Sequence, residues 1–256
     1  MSSTSEPDIS YSEDGFEVLG LDGGSGFWFD HRAAAVRRDL EELGITAMWE
    51  VGAGTGAMAH RLQSASTEVV TVEPLTAGAR ASASLGLASL CGTLQDLHLP
   101  DRSISSIGVF DVLEHLEDPK SVVQEMHRVL EPSGLVIATV PAFQWLWGDE
   151  DDVAGHRRRY TKSTLTAEFS ACGFTKIRTE YLYASLVPPA ALLRALPYRF
   201  GRRASREAVL QSMRNQLRIL PAADRLARGI LSVESRVARL VPLPFGLTVL
   251  GVFRKR

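Results

Sequence analysis

The chain reads as an α/β protein: a doubly wound, mostly parallel sheet. Three observations predict this. An apolar run at residues 45–51 stops at three glycines spaced two apart, Gly52, Gly54 and Gly56, and a helix-like stretch follows at 58–62. Short β-branched or apolar runs then alternate with helical patterns, as βαβ units require. At 256 residues the chain can bury a full core, enough for one such domain and an elaboration.

Composition narrows the class further. Hydrophobic content of 45% with 23% charged residues is ordinary for a soluble protein. Cys91 and Cys172 lie far apart and form no CxxC, which argues against a disulfide framework or a zinc site, so both are expected as small core residues. No run approaches the roughly 18 uncharged apolar residues of a membrane span, and no basic-then-apolar leader opens the sequence. A cytoplasmic protein is the expectation. The net charge of −2 conceals a division. Residues 1–185 carry 14 Lys+Arg against 27 Asp+Glu, and residues 186–256 carry 14 against 3.

Taken in order, residues 1–22 are polar and read as a disordered tail. Gly23-Gly24-Ser25-Gly26 is a joint before the aromatic cluster Phe27-Trp28-Phe29, which either forms a lid or pins the next helix to the core. That helix is expected at 30–43, with Asp30 as its N-cap. After the glycine loop a second strand at 68–72 ends at Glu73-Pro74, since proline disfavours helical geometry at the residue before it. A third strand is expected within 87–92 and a fourth within 104–110. A helix at 119–130 shows one apolar face, and the continuous run 135–140 reads as a strand buried on both sides. Ligands of such sheets bind beyond the C-terminal ends of the strands.

Glycine suits the loop because it tolerates positive φ and has no Cβ to hold a ligand away. Gly52, Gly54 and Ala57 also satisfy the dinucleotide pattern, so the loop alone indicates a cofactor without choosing one. Glu73, 17 residues past Gly56, is placed to accept both hydrogens of a ribose diol.

With these positions in hand, residues 46–183 resemble the class I S-adenosylmethionine-dependent methyltransferases, whose fold is Rossmann-like. Glu50-Val51-Gly52-Ala53-Gly54-Thr55-Gly56 matches the family's first motif, and Glu73 its ribose-binding acid. Phe110-Asp111-Val112-Leu113-Glu114-His115 matches the segment facing cofactor and substrate, and residues 129–137 the turn into strand five. The resemblance implies S-adenosylmethionine as cofactor, yielding S-adenosylhomocysteine, held by Glu50, Gly52, Ala53, Gly54, Gly56, Glu73 and Asp111. It also implies an antiparallel edge, for which residues 245–253 are the candidate. The family often has an acid just after strand three for the adenine amino group. Here that position is Thr93, so adenine recognition passes to Asp96, Gln95 or the backbone near Leu94.

For chemistry, Glu114 and His115 follow strand four directly. Histidine, with an unperturbed pKa of about 6.5, can take a proton from a hydroxyl or amine. The alternative is a histidine bonded to backbone at a helix start. Residues 149–161 are expected as a loop on the ligand side, four acids ahead of Gly155-His156-Arg157-Arg158-Arg159-Tyr160-Thr161. His156, Arg157, Arg159 and Tyr160 are candidates to grip an anionic substrate, because guanidinium forks match carboxylate and phosphate. A similar Gly-His-x-Arg-Arg-Tyr-Thr run occurs in one bacterial branch of the family. The structural alternative has acids and arginines neutralising one another, with Thr161 capping the helix that ends at Cys172. Consecutive carboxylates make a poor metal site, and none is expected.

Residues 184–243 form the basic insertion, between the two parts of a cofactor-binding domain at 23–183 and 244–256. Residues 181–196 are apolar and broken at Pro188-Pro189, and residues 205–240 read as helix interrupted at Pro221, with arginines among large apolar residues. Such helices lie on anionic membrane, bind nucleic acid, or dock on the acidic body. The favoured reading is methyl transfer to oxygen or nitrogen of a small or lipid-linked acceptor, which the arginine loop would suit if it is anionic; residues 186–240 either dock on the acidic body or touch the inner face of a membrane. Rivals are a nucleic-acid methyltransferase, a non-catalytic cofactor-binding protein and, more remotely, a nicotinamide dehydrogenase. Asp111-Val112-Leu113-Glu114 lacks the Asn/Asp-Pro-Pro-aromatic run of amino-methylating DNA enzymes, which disfavours the first.

Overall fold

The computed structural model describes residues 26–217 and 221–256. The expected tail at 1–22 lies outside them. The expected sheet is present and among the described residues has seven strands: β1 (Ala47–Val51), β2 (Glu68–Glu73), β3 (Ala88–Cys91), β4 (Ile104–Phe110), β5 (Leu130–Pro141), β6 (Phe174–Leu182) and β7 (Thr248–Lys255), of which β6 is not among those expected from the sequence. Their order is β3-β2-β1-β4-β5-β7-β6. The first five run parallel, and β7 is antiparallel to both β5 and β6. Strand order reverses between β1 and β4, which makes their carboxyl ends the crevice where such sheets hold ligands.

Register decides which residues share that edge. Val51 lies opposite Val72 and Val109, so Gly52, Glu73 and Asp111 emerge together. Phe110 pairs with Thr139, and Leu182 with Thr248, which brings the ends of β5 and β6 to the same rim. Non-glycine residues with left-handed φ cluster here: Asp111 at 55°, Phe143 at 57° and Tyr183 at 64°. Such conformations are costly and persist where surrounding structure imposes them, often at functional sites.

Helices cover both faces. α1 (Phe27–Leu43) and α2 (Ala57–Leu62) pack Ala33, Val36, Leu40, Met58 and Leu62 on one side, against Met48, Val69 and Ile137. On the other side α4 (Pro119–Val129) and α6 (Lys162–Ala171) bury Val123, Met126, Leu165 and Phe169 against Val109, Val136 and Val140. Val136 and Ile137 thus face opposite cores, as the unbroken apolar run of β5 requires. Asp118 caps α4 by accepting from the Ser121 N–H, with Pro119 in the first turn. Thr161 caps α6, as its position ahead of that helix suggests. α3 (Thr76–Ser84) links β2 to β3.

Four expectations are corrected. The first helix begins at Phe27, not at Asp30, because the Phe27 N–H is received by Asp224 from far along the chain at 3.2 Å. Asp30, freed from capping, pairs with Arg61 and Arg228. Cys91 is exposed at the end of an edge strand, and only Cys172 is buried. Residues 149–154 are not loop but a helix, α5 (Asp149–Ala154), ended by Gly155 in left-handed conformation. Pro188 and Pro189 do not break the chain: they stand in the first turn of α7 (Val187–Ala190), where a missing N–H is harmless. A π turn (Ala191–Ala195) and α8 (Leu196–Arg199) continue it.

The remaining helices, α9 (Arg206–Leu217) and α10 (Pro221–Leu240), flank Pro221 as expected. The buried Glu234 of α10 accepts the N–H groups of Ala184 and Ser185, and Leu231 is buried against the α1 side of the core. Three of the four acids of α5 tether the other end. Asp149 accepts from the Ala204 N–H, Glu150 pairs with Arg194, and Asp152 accepts from Trp147 and Tyr198.

Candidate active site

The glycine loop turns on three positive φ values, 72° at Gly52, 57° at Gly54 and 79° at Gly56. A Cβ on Gly52 would stand 2.6 Å from Val112 Cγ2, and one on Gly56 2.6 Å from Ser82 Oγ. Gly54 differs: nothing lies within 4 Å of where its Cβ would be, so the loop's crest opens on free space. The Gly54 N–H donates to Glu73 Oε2 at 2.8 Å, and the Leu75 N–H to Oε1 at 2.9 Å. Burial raises the Glu73 pKa against the pull of these two donors. Each oxygen keeps a lone pair for a further donor, as a ribose diol would supply.

Glu50 is buried, and its Oε2 has no hydrogen-bond partner. Burial pushes its pKa up to about 8, against the attraction of Arg32. Restoring its charge needs a cation beside it, and a buried acceptor oxygen left unmatched is costly unless a ligand completes it. These features, a buried carboxylate with one orphaned oxygen, an open glycine crest and a braced second carboxylate, fit an adenosine cofactor with a cationic amino group.

Ala53 lies buried in the loop, and Asp111 directly follows β4. Asp111 accepts from Thr139 Oγ1 at 3.1 Å and pairs with the buried Arg32. Arg32 also attracts Glu50 and Glu114, so α1 inserts one cation among three acids. Sequence reasoning missed it, since Arg32 lies beside the apolar stripe of α1 and nothing local marks it. Trp28 stacks on Tyr183 with ring centres 3.8 Å apart, which holds this helix to the sheet and favours the pinning role over a lid. The Leu94 side chain is core, leaving only its backbone for adenine. Asp96 bends back onto Thr93, its Oδ2 accepting from N and Oγ1 at 2.9 and 2.6 Å, which lowers its pKa.

The turn after β4 places Glu114 and His115 against the segment 155–160. Glu114 is fully buried, neither carboxylate oxygen has a hydrogen-bond partner, and burial raises its pKa to about 8. Burial and the nearby His156 push His115 down to about 3, and its ring bonds to backbone at Gly155 and Ala154. That is the backbone-bonding alternative, and so low a pKa makes a weak base at neutral pH. The rings of His115 and His156 meet edge to face at 4.8 Å.

The arginine run faces inward. Arg159 forks onto the buried Asp151 with two bonds of 2.8 Å and reaches the Ala142 carbonyl at 3.1 Å. His156 Nδ1 meets Asp151 Oδ1 at 2.6 Å. Burial opposes the charge on Asp151, but His156 and Arg159 outweigh it and hold the carboxyl below its ordinary pKa. Arg157 Nε donates to the His115 carbonyl, and Arg158 to those of Leu116 and Glu117. Tyr160 is buried and forms a parallel bridge with Ala142, its hydroxyl 3.5 Å from the Leu113 carbonyl. The segment therefore stitches the turn after β4 to the end of β5. His156 is brought to the site, while Arg157, Arg159 and Tyr160 brace it.

Fold and site together define a doubly wound protein with a nucleotide-like cofactor crevice at its switch point. Residues 49–138, the stretch that carries this crevice, match the family model of a methyltransferase domain. A probable S-adenosylmethionine-dependent methyltransferase of Mycobacterium tuberculosis is 29% identical over 117 residues, 45% of this chain and 43% of that protein. The chain thus matches less than half the length of this curated relative. Two crystal structures share the fold. A protein described as a "putative sarcosine dimethylglycine methyltransferase" from Galdieria sulphuraria aligns with TM-score 0.59 at 16% identity, over 95% of this chain and 98% of its own. A SAM-dependent methyltransferase from Archaeoglobus fulgidus gives 0.56 at 13%, over 94% and 99%.

Proposed function

We propose that this protein is an S-adenosylmethionine-dependent methyltransferase acting on an oxygen or nitrogen of a small or lipid-linked acceptor. The observation that carries the reading is the pairing of Glu50 and Glu73 across an open glycine crest, within the segment that matches the methyltransferase-domain model. The cofactor supplies an activated methyl group with its leaving group attached, so the protein's work is orientation and exclusion of water. Glu50 would hold the amino group, the backbone of residues 52–56 would approach the methionine part, and Glu73 would take the ribose. The backbone at Leu94 and the second oxygen of Asp96 would lie by the adenine. The acceptor would enter beside Asp111, Glu114, His115 and His156, with Arg157, Arg159 and Tyr160 holding that wall in place.

The lipid-linked part of the reading is supported by α10. Its inner face holds Asp224, Leu231 and Glu234, and its outer face leaves Leu226, Ile230, Val233, Val237 and Leu240 exposed at helical spacing. An apolar stripe beside Arg225, Arg236 and Arg239 suits an anionic membrane surface. No helix among the described residues is long and apolar enough to cross a membrane.

Glu73→Ala tests the cofactor assignment. Charge-assisted hydrogen bonds contribute about 1.5–3 kcal/mol each, so affinity for S-adenosylmethionine should fall at least about tenfold with the circular dichroism spectrum intact. An unchanged dissociation constant would remove Glu73 from the site.

A further inference from the structure

Glu114, His115 and His156 offer three donor atoms that all lie within 4.8 Å of one another. We infer that they form a site for a divalent cation, with Asp151 of α5 supplying its outer support. The sequence gives no hint of it, because His156 stands more than forty residues from the other two and the visible acids lie elsewhere.

Four observations bear on this. The first is Glu114 itself, fully buried with both oxygens lacking hydrogen-bond partners. A buried carboxylate needs a cation or strong donors, and the two arginines that attract it are committed elsewhere, Arg32 to Asp111 and Arg159 to Asp151. The second is the orientation of His156. Its Nδ1 is held by Asp151, which leaves Nε2 for ligation, and a carboxylate behind a ligating imidazole is the usual means of fixing tautomer and ring angle. Asp151 is itself locked by the Arg159 fork and by the Gly148 N–H at 2.8 Å.

The third is the donor set, one carboxylate oxygen and two imidazoles, which suits zinc, cobalt, manganese or iron(II) better than calcium. The fourth is scale. Metal–donor bonds of about 2.0–2.2 Å put neighbouring donors roughly 3–3.5 Å apart, so side-chain movements of about an ångström close the present spacing. Three protein ligands leave coordination positions for water or a substrate oxygen. On the methyl-transfer reading, on which this last clause alone rests, those positions would orient an acceptor oxygen.

The test is cobalt(II) titration of tag-free, chelator-treated protein, followed by visible absorption and by calorimetry, with manganese(II) and zinc(II) in parallel. The inference expects one ion per chain with ligand-field bands. It expects Glu114→Gln and His156→Ala to weaken binding by about a hundredfold or more, and Asp151→Asn by roughly 10–100-fold, as outer-support losses do. His156 is only partly buried, so its variant keeps the test valid should Glu114→Gln fail to fold. No binding by the wild type overturns the inference. So does equal binding in the variants, which would place the ion elsewhere. Calorimetry with S-adenosylmethionine on the same samples separates the two readings: cofactor binding without metal binding overturns the cation site alone, and metal binding without cofactor binding overturns methyl transfer and leaves the cation site standing.

Discussion

At the scale of single residues, Glu50 is the most informative group. Its folded pKa of about 8 lies well above the usual range for glutamate because burial disfavours its charge. A raised folded pKa means the native state binds the proton more tightly than the unfolded chain. The associated stability is complete below about pH 4.5 and is lost as pH rises through about 8, by up to about 1.4 kcal/mol per unit. Cofactor-free wild type should therefore lose stability relative to Glu50→Gln between those limits, read as denaturant midpoints at several pH values. Parallel profiles would show that Glu50 is not desolvated as described. Glu50, Glu73 and the glycines were legible in the sequence because their chemistry is local, an acid at a strand tip beside a tight turn. Arg32 was not, since its partner Asp111 is 79 positions away and only the packing of α1 on the sheet joins them. Arg157 and Arg159 were legible as unusual but not as braces, because a guanidinium that clamps a ligand and one that forks onto Asp151 have the same sequence.

Among the elements, β4 and α4 were readable to within a residue, since a β-branched run and an Asp-Pro cap announce their own limits. The ends of α1 and α5 were not. The start of α1 is fixed by Asp224 on α10, and the acids of α5, which read as a charged loop, are each engaged by a donor from a loop or from the insertion. The amphipathic character of α10 was foreseen, but which face would be covered depends on its docking. That docking uses Asp224, Arg228 and Glu234, leaving Leu226 at 66% and Leu240 at 84% exposure. If this stripe meets a membrane, replacing both leucines by serine should lower flotation with anionic liposomes at least tenfold, since burying a leucine side chain contributes about 1.5–3 kcal/mol. Folding stability should change by less than about 0.5 kcal/mol per site, as for other surface substitutions. Binding that survives the change but vanishes with moderate salt would indicate charge alone and a phosphate-backbone partner.

For the whole molecule, the division of charge visible in the sequence is partly an internal contact. Arg194 and Arg228 of the basic part meet Glu150 and Asp30 of the acidic part. The parallel sheet and the position of the crevice at its strand ends follow from the βαβ pattern, which is why fold was the most legible level; the strand order and β6 came only with the folded chain. The proposed acceptor side was the least legible, because it is assembled from the turn after β4 and the segment 155–160, two pieces that only the folded chain brings together. The central claim is that the crevice at the β1/β4 reversal takes S-adenosylmethionine. Calorimetry of the purified chain with S-adenosylmethionine, S-adenosylhomocysteine and NAD tests it most directly. The account predicts saturable binding of the first two at one site per chain and no heat with NAD; binding of NAD with neither of the others would contradict it.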